Sequence, residues 1–263
     1  MYGAIIGDVV GSPYEFSRNK RKDFSPLFHP RAGITDDTIM TVAVADSLLN
    51  EIHPAESMRG WGRKVLPTES LGGYGQGFIK WLAAPDIQPP YNSYGNGAAM
   101  RVSPVGWLFD ELAVALEVAK IVTEVSHSHP EGIKGAQAVV LAVYLARNGA
   151  DGEAIREAVG DMFGYDMERS VDICRDEHVY NETCQYCVPE SIICAIEAES
   201  YEDAIRNAIS LGGDADTLAA ISGGIAEAMF GIPDALIAEV QSYLKPELAP
   251  VIAQFYQRVD GSH

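Results

Sequence analysis

The chain has 263 residues, 47% of them hydrophobic and 21% charged, enough to bury a substantial core. Its formal charge of −18 argues against a sequence-independent nucleic-acid surface, and any anionic ligand must find positive potential locally, at metal, helix N-termini or a few Arg and Lys. No apolar run approaches the ~20 residues that a bilayer requires. No basic stretch precedes Ala4 and Asp8 interrupts the first apolar segment, against a signal peptide, so the expected setting is the cytoplasm, with no membrane partner.

Gly3, Gly7 and Gly11 are spaced by four, which puts them on one helical stripe where another backbone can come close. Asp8 and Glu15 would share a face of that helix, but Pro13 is expected to end it and leave Glu15 in the turn beyond. Taken alone, Glu15 reads as an exposed acid. The polar stretch 17–34, with Lys20-Arg21-Lys22-Asp23 and two prolines, reads as a long surface loop of the kind that forms lids or rims. Thr35-Asp36-Asp37-Thr38 then opens an apolar helical run to Asn50, and a shorter helix is expected about Met58–Arg63. The stretch 71–77, which holds Gly72, Gly73, Gly75 and Gly77, is too rich in glycine for an element and reads as a close-approach loop. In 91–101, Gly95-Asn96-Gly97 offers backbone N–H groups to an anion or a sugar, and Arg101 can buttress it. The alternative is an ordinary Asn-Gly turn, although no strands flank it.

Helical periodicity resumes over Leu108–Val125, Gly135–Arg147, Glu153–Phe163, Pro189–Glu199, Tyr201–Leu211, Leu218–Phe230, Pro233–Leu244 and Pro246–Val259. Alanine is frequent on the inner faces and runs of alternating β-branched residues are absent. The pattern predicts an all-α fold, one domain over 1–263, with its chemistry at the loops where helices start. Ser126-His127-Ser128-His129-Pro130 sits at one such start. His127 is the candidate substrate contact, and His129 has capping or surface exposure as its alternative. Cys174, Cys184, Cys187 and Cys194 crowd one quarter of the chain. Cys184 and Cys187 have the inner spacing of a zinc knuckle, but no second CxxC exists, so reduced, partly buried thiols are the main reading.

The most informative stretch is Ser210 to Thr217, where Asp214 and Asp216 follow Gly212-Gly213 and precede a hydroxyl and a small-residue apolar run to Phe230. It reads as a buried helix whose first turn carries hard oxygen ligands. With Thr35 to Thr38 it makes two Asp/Thr clusters at two helix N-termini, which suggests one shared site holding a divalent ion. Capping and complementing the helix dipole would explain either cluster alone. Capping needs one side chain, however, and each cluster carries two acids and a hydroxyl.

Together these segments resemble the ADP-ribosylglycohydrolase family, all-α hydrolases that remove ADP-ribose from acceptors. The resemblance rests on Gly7 to Glu15, Thr35 to Thr38, Gly95 to Arg101, Ser126-His127 before an Ala-rich helix, and Gly212 to Thr217, in family order across nearly the whole chain. About 149–201, including the cysteines, is not covered. The resemblance implies two Mg²⁺ (or Mn²⁺) ions held by Thr35, Asp36, Asp37, Asp214, Asp216 and Thr217. It brings Glu15 to the metal site as the residue acting on the nucleophilic water, with Asp36 and Asp216 also counted as catalytic. It further implies substrate contacts at Ser93, Tyr94, Gly95, Asn96, Met100, His127 and Gly213, and a glycine loop near the diphosphate at Gly72, Gly73 and Gly75. The implied partner is an ADP-ribosylated substrate, whose acceptor side the loops at 17–34 and 150–200 would shape.

Elementary chemistry agrees. Helix N-termini and loop amides let an acidic protein hold a diphosphate, and cleavage at C1″ builds oxocarbenium character that a carboxylate serving water would exploit. An isoprenoid synthase would want its acids a full helical turn apart, and a His/Asp phosphohydrolase would want more histidine near the acids. A catalytically silent ADP-ribose-binding protein on the same fold is the non-enzyme alternative.

Overall fold

The computed structural model describes residues 1–65 and 73–261, and in them the chain forms α-helices and short 3₁₀ turns with no strand. In chain order the α-helices are α1 (Tyr2–Gly11), α2 (Asp36–Leu49), α3 (Pro54–Val65), α4 (Gln76–Ala83), α5 (Ser103–Leu108), α6 (Leu112–Glu124) and α7 (Pro130–Arg147). After them come α8 (Gly152–Phe163), α9 (Val171–Glu177), α10 (Cys184–Ile196), α11 (Tyr201–Ile209), α12 (Ala215–Phe230), α13 (Asp234–Val240) and α14 (Ala249–Asp260).

Helix α12 is the centre of the core. Every residue from Ala215 to Glu227 is buried, and α1, α7, α10 and α11 pack around it. Its small residues permit this, and the closest neighbour is the glycine stripe of α1. A β-carbon on Gly3 would stand 2.2 Å from the carbonyl oxygen of Gly223, and one on Gly7 would stand 2.1 Å from that of Ala219. One on Gly11 would lie 2.5 Å from the α-carbon of Asp216. The two helices therefore touch backbone to backbone, and neither side can yield by changing a rotamer. Gly7→Ala is expected to cost about 1–3 kcal/mol, the usual penalty for overpacking. Chemical denaturation measures it directly, and an unchanged midpoint would contradict the close contact. The N-terminal ammonium adds a second tie, bonding Glu227 of α12 at 2.5 Å in a buried pair.

Several boundaries differ from the sequence reading, each for a local reason. The helix expected from Leu108 starts at Leu112, because Leu108 ends α5 and Phe109 takes an extended conformation between α5 and α6. Helix α7 begins at Pro130 rather than Gly135, with proline in its first turn and the His129 side chain accepting from Glu131 N. Helix α10 begins at Cys184 and runs through Pro189, which was expected to start it; the break costs one intrahelical donor, and Ser191 Oγ donates to the Cys187 carbonyl at 2.8 Å nearby. Gln76 and Gly77, read as loop, open α4, and the short helix expected about Met58 is the longer α3. The first helix ends at Gly11 as expected, passing into a 3₁₀ turn over Ser12–Tyr14 that contains Pro13.

Candidate active site

The contact between α1 and α12 carries Asp8 to the N-termini of both α2 and α12. Asp8 is fully buried and its carboxylate is heavily bonded. Oδ2 accepts from Thr35 N at 2.9 Å and Thr38 N at 3.1 Å, and Oδ1 accepts from Thr35 Oγ1 at 2.8 Å. Thr38 Oγ1 also donates to Oδ2. Asp8 thus joins α1 to the start of α2 and orients the Thr35-Asp36-Asp37 turn.

Carboxylate oxygens of Asp8, Asp37 and Asp216 lie within 4.8 Å of one another, and so do those of Glu15, Asp214 and Asp216. The two triplets share Asp216. Among the described residues no Arg or Lys pairs with any of these acids; the ion pairs lie elsewhere. Burial pushes the carboxyls of Asp8, Asp36, Asp37 and Asp216 up, the last three far up with neighbouring acids adding to it. Glu15 is pushed up to about 7, by burial first and then by Asp214, Asp8 and Glu182. Asp37 Oδ1 is buried with no partner at all. A cluster of hard oxygen donors with an orphaned carboxylate oxygen and no neutralising cation fits divalent metal.

The capping alternative is decided differently at the two helices. At α2, Thr35 does cap, its hydroxyl accepting from Asp37 N at 3.3 Å, but Asp36 and Asp37 cap nothing. At α12, Asp214 occupies the capping position and makes no capping bond; its Oδ2 instead accepts from Asn96 Nδ2. Thr217 Oγ1 donates to Asp37 Oδ2 at 3.2 Å, joining the two helix starts. Asp36 belongs to neither triplet. It lines the cavity beside Gly73, whose φ of +87° and lack of a β-carbon let the loop come against the Asp36 carboxylate.

Glu15, Asp36, Asp37, Asp214 and Asp216 line a cavity of about 420 Å³. Its other walls hold Gly73, Gly75, Ser93, Gly95, Asn96, Met100 and His127, all expected at the site, together with Tyr74, Phe78, Tyr91 and Arg101. His127 is buried; its Nδ1 shares a 2.8 Å hydrogen bond with Ser126 Oγ, which accepts from Arg101 Nη2 at 2.8 Å. Burial and Arg101 hold His127 well below its ordinary pKa, so its ring is neutral. A β-carbon on Gly97 would come within 3.2 Å of His127 Nε2, so the 3₁₀ turn over Asn96–Ala98 is fitted against this histidine. Arg101 is the only Arg or Lys among the described residues of the lining.

Two expected contacts are placed differently. Tyr94 stays outside the cavity, 46% exposed, with its ring 5.1 Å from that of His129. Ser93 and Gly95, on either side of it, do line the cavity. Gly213 lies behind the site, where its carbonyl accepts from Phe16 N at 2.7 Å and its N–H donates to the Ser17 carbonyl at 3.0 Å. Gly72 falls outside the described residues.

The comparisons with known proteins concern the whole chain. Residues 1–262 match the family described as ADP-ribosylglycohydrolase. The chain belongs to the ADP-ribosylglycohydrolase family. It is 27% identical to the ADP-ribosylhydrolase ARH3 of Mus musculus, over 98% of this chain and 90% of that protein. It is 26% identical to the ADP-ribosylarginine hydrolase Tri1 of Pseudomonas putida, over 88% of this chain and 70% of that one. An uncharacterized protein of Archaeoglobus fulgidus is 28% identical over 98% and 95%. A solved structure titled "ADP-ribosylglycohydrolase-related protein complex" shares the fold, with a TM-score of 0.72 at 23% identity, covering 98% of this chain and 95% of that one.

Sequence reasoning missed Asp8 as a site residue, because what holds it there is the distant Thr35-to-Thr38 turn. It also missed Glu182, for which the stretch outside the ADP-ribosylglycohydrolase resemblance carried no signal. Glu182 reaches the cavity because its carbonyl accepts from Asn96 N at 2.8 Å while Cys184 N donates to the Tyr94 carbonyl at 3.0 Å. The cysteines are free and fully buried rather than partly buried, and among the described residues none joins a cluster of potential metal ligands. Cys184 Sγ instead bonds the Gly95 carbonyl at 3.2 Å and Cys187 Sγ the Asn181 carbonyl at 2.8 Å, buttressing the loop behind the site.

The raised carboxyls fix a pH dependence. The folded metal-free chain holds protons that the unfolded chain releases. The stability these groups contribute is therefore fully present below the ordinary carboxylate range, about pH 4. It is lost as pH rises through their raised values, which for Glu15 is about 7. Divalent ions need these groups ionised. The Tm gain on adding Mg²⁺ should accordingly be larger at pH 8 than at pH 5. Thermal scans of chelator-treated protein test this, and equal gains at both pH values would contradict the ligand assignment.

Proposed function

We propose that the chain is a metal-dependent hydrolase that cleaves the glycosidic bond between C1″ of ADP-ribose and an acceptor, a modified protein side chain or a related small molecule, and so reverses ADP-ribosylation. The observation that carries this reading is the pair of carboxylate triplets sharing Asp216, of which Glu15, Asp37, Asp214 and Asp216 line one cavity. Family membership and the hydrolase names of ARH3 and Tri1 support it. The free cysteines fit a reducing compartment such as the cytoplasm.

Asp8, Asp37 and Asp216 would hold one Mg²⁺ or Mn²⁺, and Glu15, Asp214 and Asp216 would reach a second, with Asp36 and the Thr35 and Thr217 hydroxyls at their margins. Bound there, the ions would offset the clustered negative charge and fix the vicinal ribose hydroxyls. Asn96 and Thr217 orient Asp214 and Asp37 through their side-chain bonds. The diphosphate would lie toward Gly75 at the N-terminus of α4, where backbone N–H groups and Arg101 supply positive potential. Neutral His127 offers Nε2 to a ribose or phosphate oxygen. Glu15, only half-buried at the cavity edge, takes the proton of the water that attacks C1″ and returns it to the departing acceptor.

Incubating the protein with ADP-ribosylated acceptors, with and without EDTA, tests the reading. Release of ADP-ribose only when metal is present is the expected result. Tight binding of ADP-ribose with no release would identify a silent binding protein instead.

A further inference from the structure

The bond between Ser126 and His127 has a direction, and the groups around it decide which. Ser126 Oγ is buried, accepts from Arg101 Nη2 at 2.8 Å and lies 2.8 Å from His127 Nδ1. A guanidinium has donors only, whereas a serine hydroxyl has one hydrogen to give and lone pairs to receive. With Arg101 on a lone pair, the hydroxyl hydrogen needs an acceptor, and among the described residues Nδ1 is the one bonded to Oγ. Arg101 Nη2 also stands 3.5 Å from Nδ1 itself, so a hydrogen on Nδ1 would face those of the guanidinium. Nδ1 is therefore the accepting nitrogen, and the single N–H of the neutral ring is on Nε2.

The other edge of the ring is turned to the cavity wall. Nε2 is 3.2 Å from where a β-carbon on Gly97 would stand and 3.8 Å from that of Gly95, and all three residues line the cavity. Among the described residues no protein group bonds Nε2; the side-chain bonds of His127 are those of Nδ1. The Tyr91 ring packs 5.9 Å away at 59°, and the Thr123 carbonyl holds the His127 backbone N–H at 2.9 Å.

We propose that Arg101 and Ser126 lock His127 in its Nε2–H form, making it an uncharged hydrogen-bond donor to the cavity that cannot act as a base, with Ser126 as its positioning residue. A base at Nε2 needs a lone pair aimed at water, and this tautomer has a hydrogen there. The proton of the attacking water is left to Glu15. The atom that His127 meets must offer a lone pair, as a phosphoryl or sugar oxygen of ADP-ribose does. That choice of ligand rests on the hydrolase reading above, whereas the tautomer does not.

Two-bond ¹H–¹⁵N correlation spectra of the full chain labelled with ¹⁵N-histidine read the tautomer, with the His127 signals assigned by their loss in His127→Gln. The wild type should show Nε2 protonated and Nδ1 bare. Calorimetry with free ADP-ribose and Mg²⁺ then reads the donor. The amide nitrogen of glutamine reaches the place of Nε2 and that of asparagine the place of Nδ1. His127→Gln should accordingly bind about two- to tenfold more tightly than His127→Asn, the net worth of one hydrogen bond. Ser126→Ala should bring in signal from the Nδ1–H form and weaken binding by a similar factor, and Ser126→Thr, which keeps the hydroxyl, should restore both. A wild type with its proton on Nδ1, or a Ser126→Ala chain that keeps both tautomer and affinity, would overturn the inference. A wild type that binds ADP-ribose in the Nε2–H form but cleaves no ADP-ribosylated acceptor would remove the hydrolase reading and uphold the lock.

Discussion

Asp216→Asn is expected to abolish turnover and the response to Mg²⁺ while leaving the metal-free fold as stable as before, or more so. Asp216 is the one residue common to both triplets, so its loss damages both positions at once. A neutral amide cannot replace a shared carboxylate, and removing one preorganised electrostatic contact at a reacting centre alone costs about 10²–10³-fold. The stability side follows from the same crowding. Asp216 is buried, pushed far up first by burial and then by Asp214, Asp37, Glu15 and Asp8. Neutralising it relieves that repulsion, as is common where function has been placed at the expense of stability. Thermal scans with and without Mg²⁺ should show the metal-dependent gain disappear and the metal-free Tm hold or rise. A variant with near-normal turnover would mean that the paired Asp motif only starts a helix.

Glu15→Gln separates two roles for a single side chain. Nothing in the local backbone requires an acid there; it follows a 3₁₀ turn and leaves the helix with ψ of 134°. If it were a mere surface acid, the exchange would shift stability by less than ~0.5 kcal/mol and leave catalysis alone. In the proposed mechanism the variant folds and binds ADP-ribose, but its turnover falls by roughly 10²–10⁴-fold, the usual worth of a positioned acid/base. Loss of rate together with loss of metal binding would assign Glu15 chiefly to holding the ion. A wild-type rate would remove it from the mechanism.

The parts of this site that could be read from the sequence are those whose physical requirement is local. The glycine stripe of α1 was legible because spacing by four on a helix has few other uses. The acids of α2 and α12 were legible because they exceed what capping needs, and the structure bears this out: Thr35 caps, while Asp214 does not. Where the requirement is set by distant chain, the reading failed. Asp8 looks like an interruption of an apolar segment until Thr35 and Thr38 are seen to surround it. Tyr94 was assigned with its neighbours because a motif is read as a run, whereas its ring packs against His129 outside the cavity. Glu182 enters through a segment whose periodicity says nothing of the cavity. Pro189 misled because proline commonly opens helices, although here it lies inside one that begins at Cys184.

In the proposed mechanism Glu15 and the carboxylates at α1, α2 and α12 hold the metal on which hydrolysis depends. The most direct measurement is the initial rate of ADP-ribose release from ADP-ribosylated acceptors by chelator-treated protein as Mg²⁺ is titrated back. The rate should be near zero without metal, rise saturably with Mg²⁺ in the wild type and stay flat in Asp216→Asn. Turnover that is undiminished in the metal-free protein, or that returns equally in both chains, would contradict it.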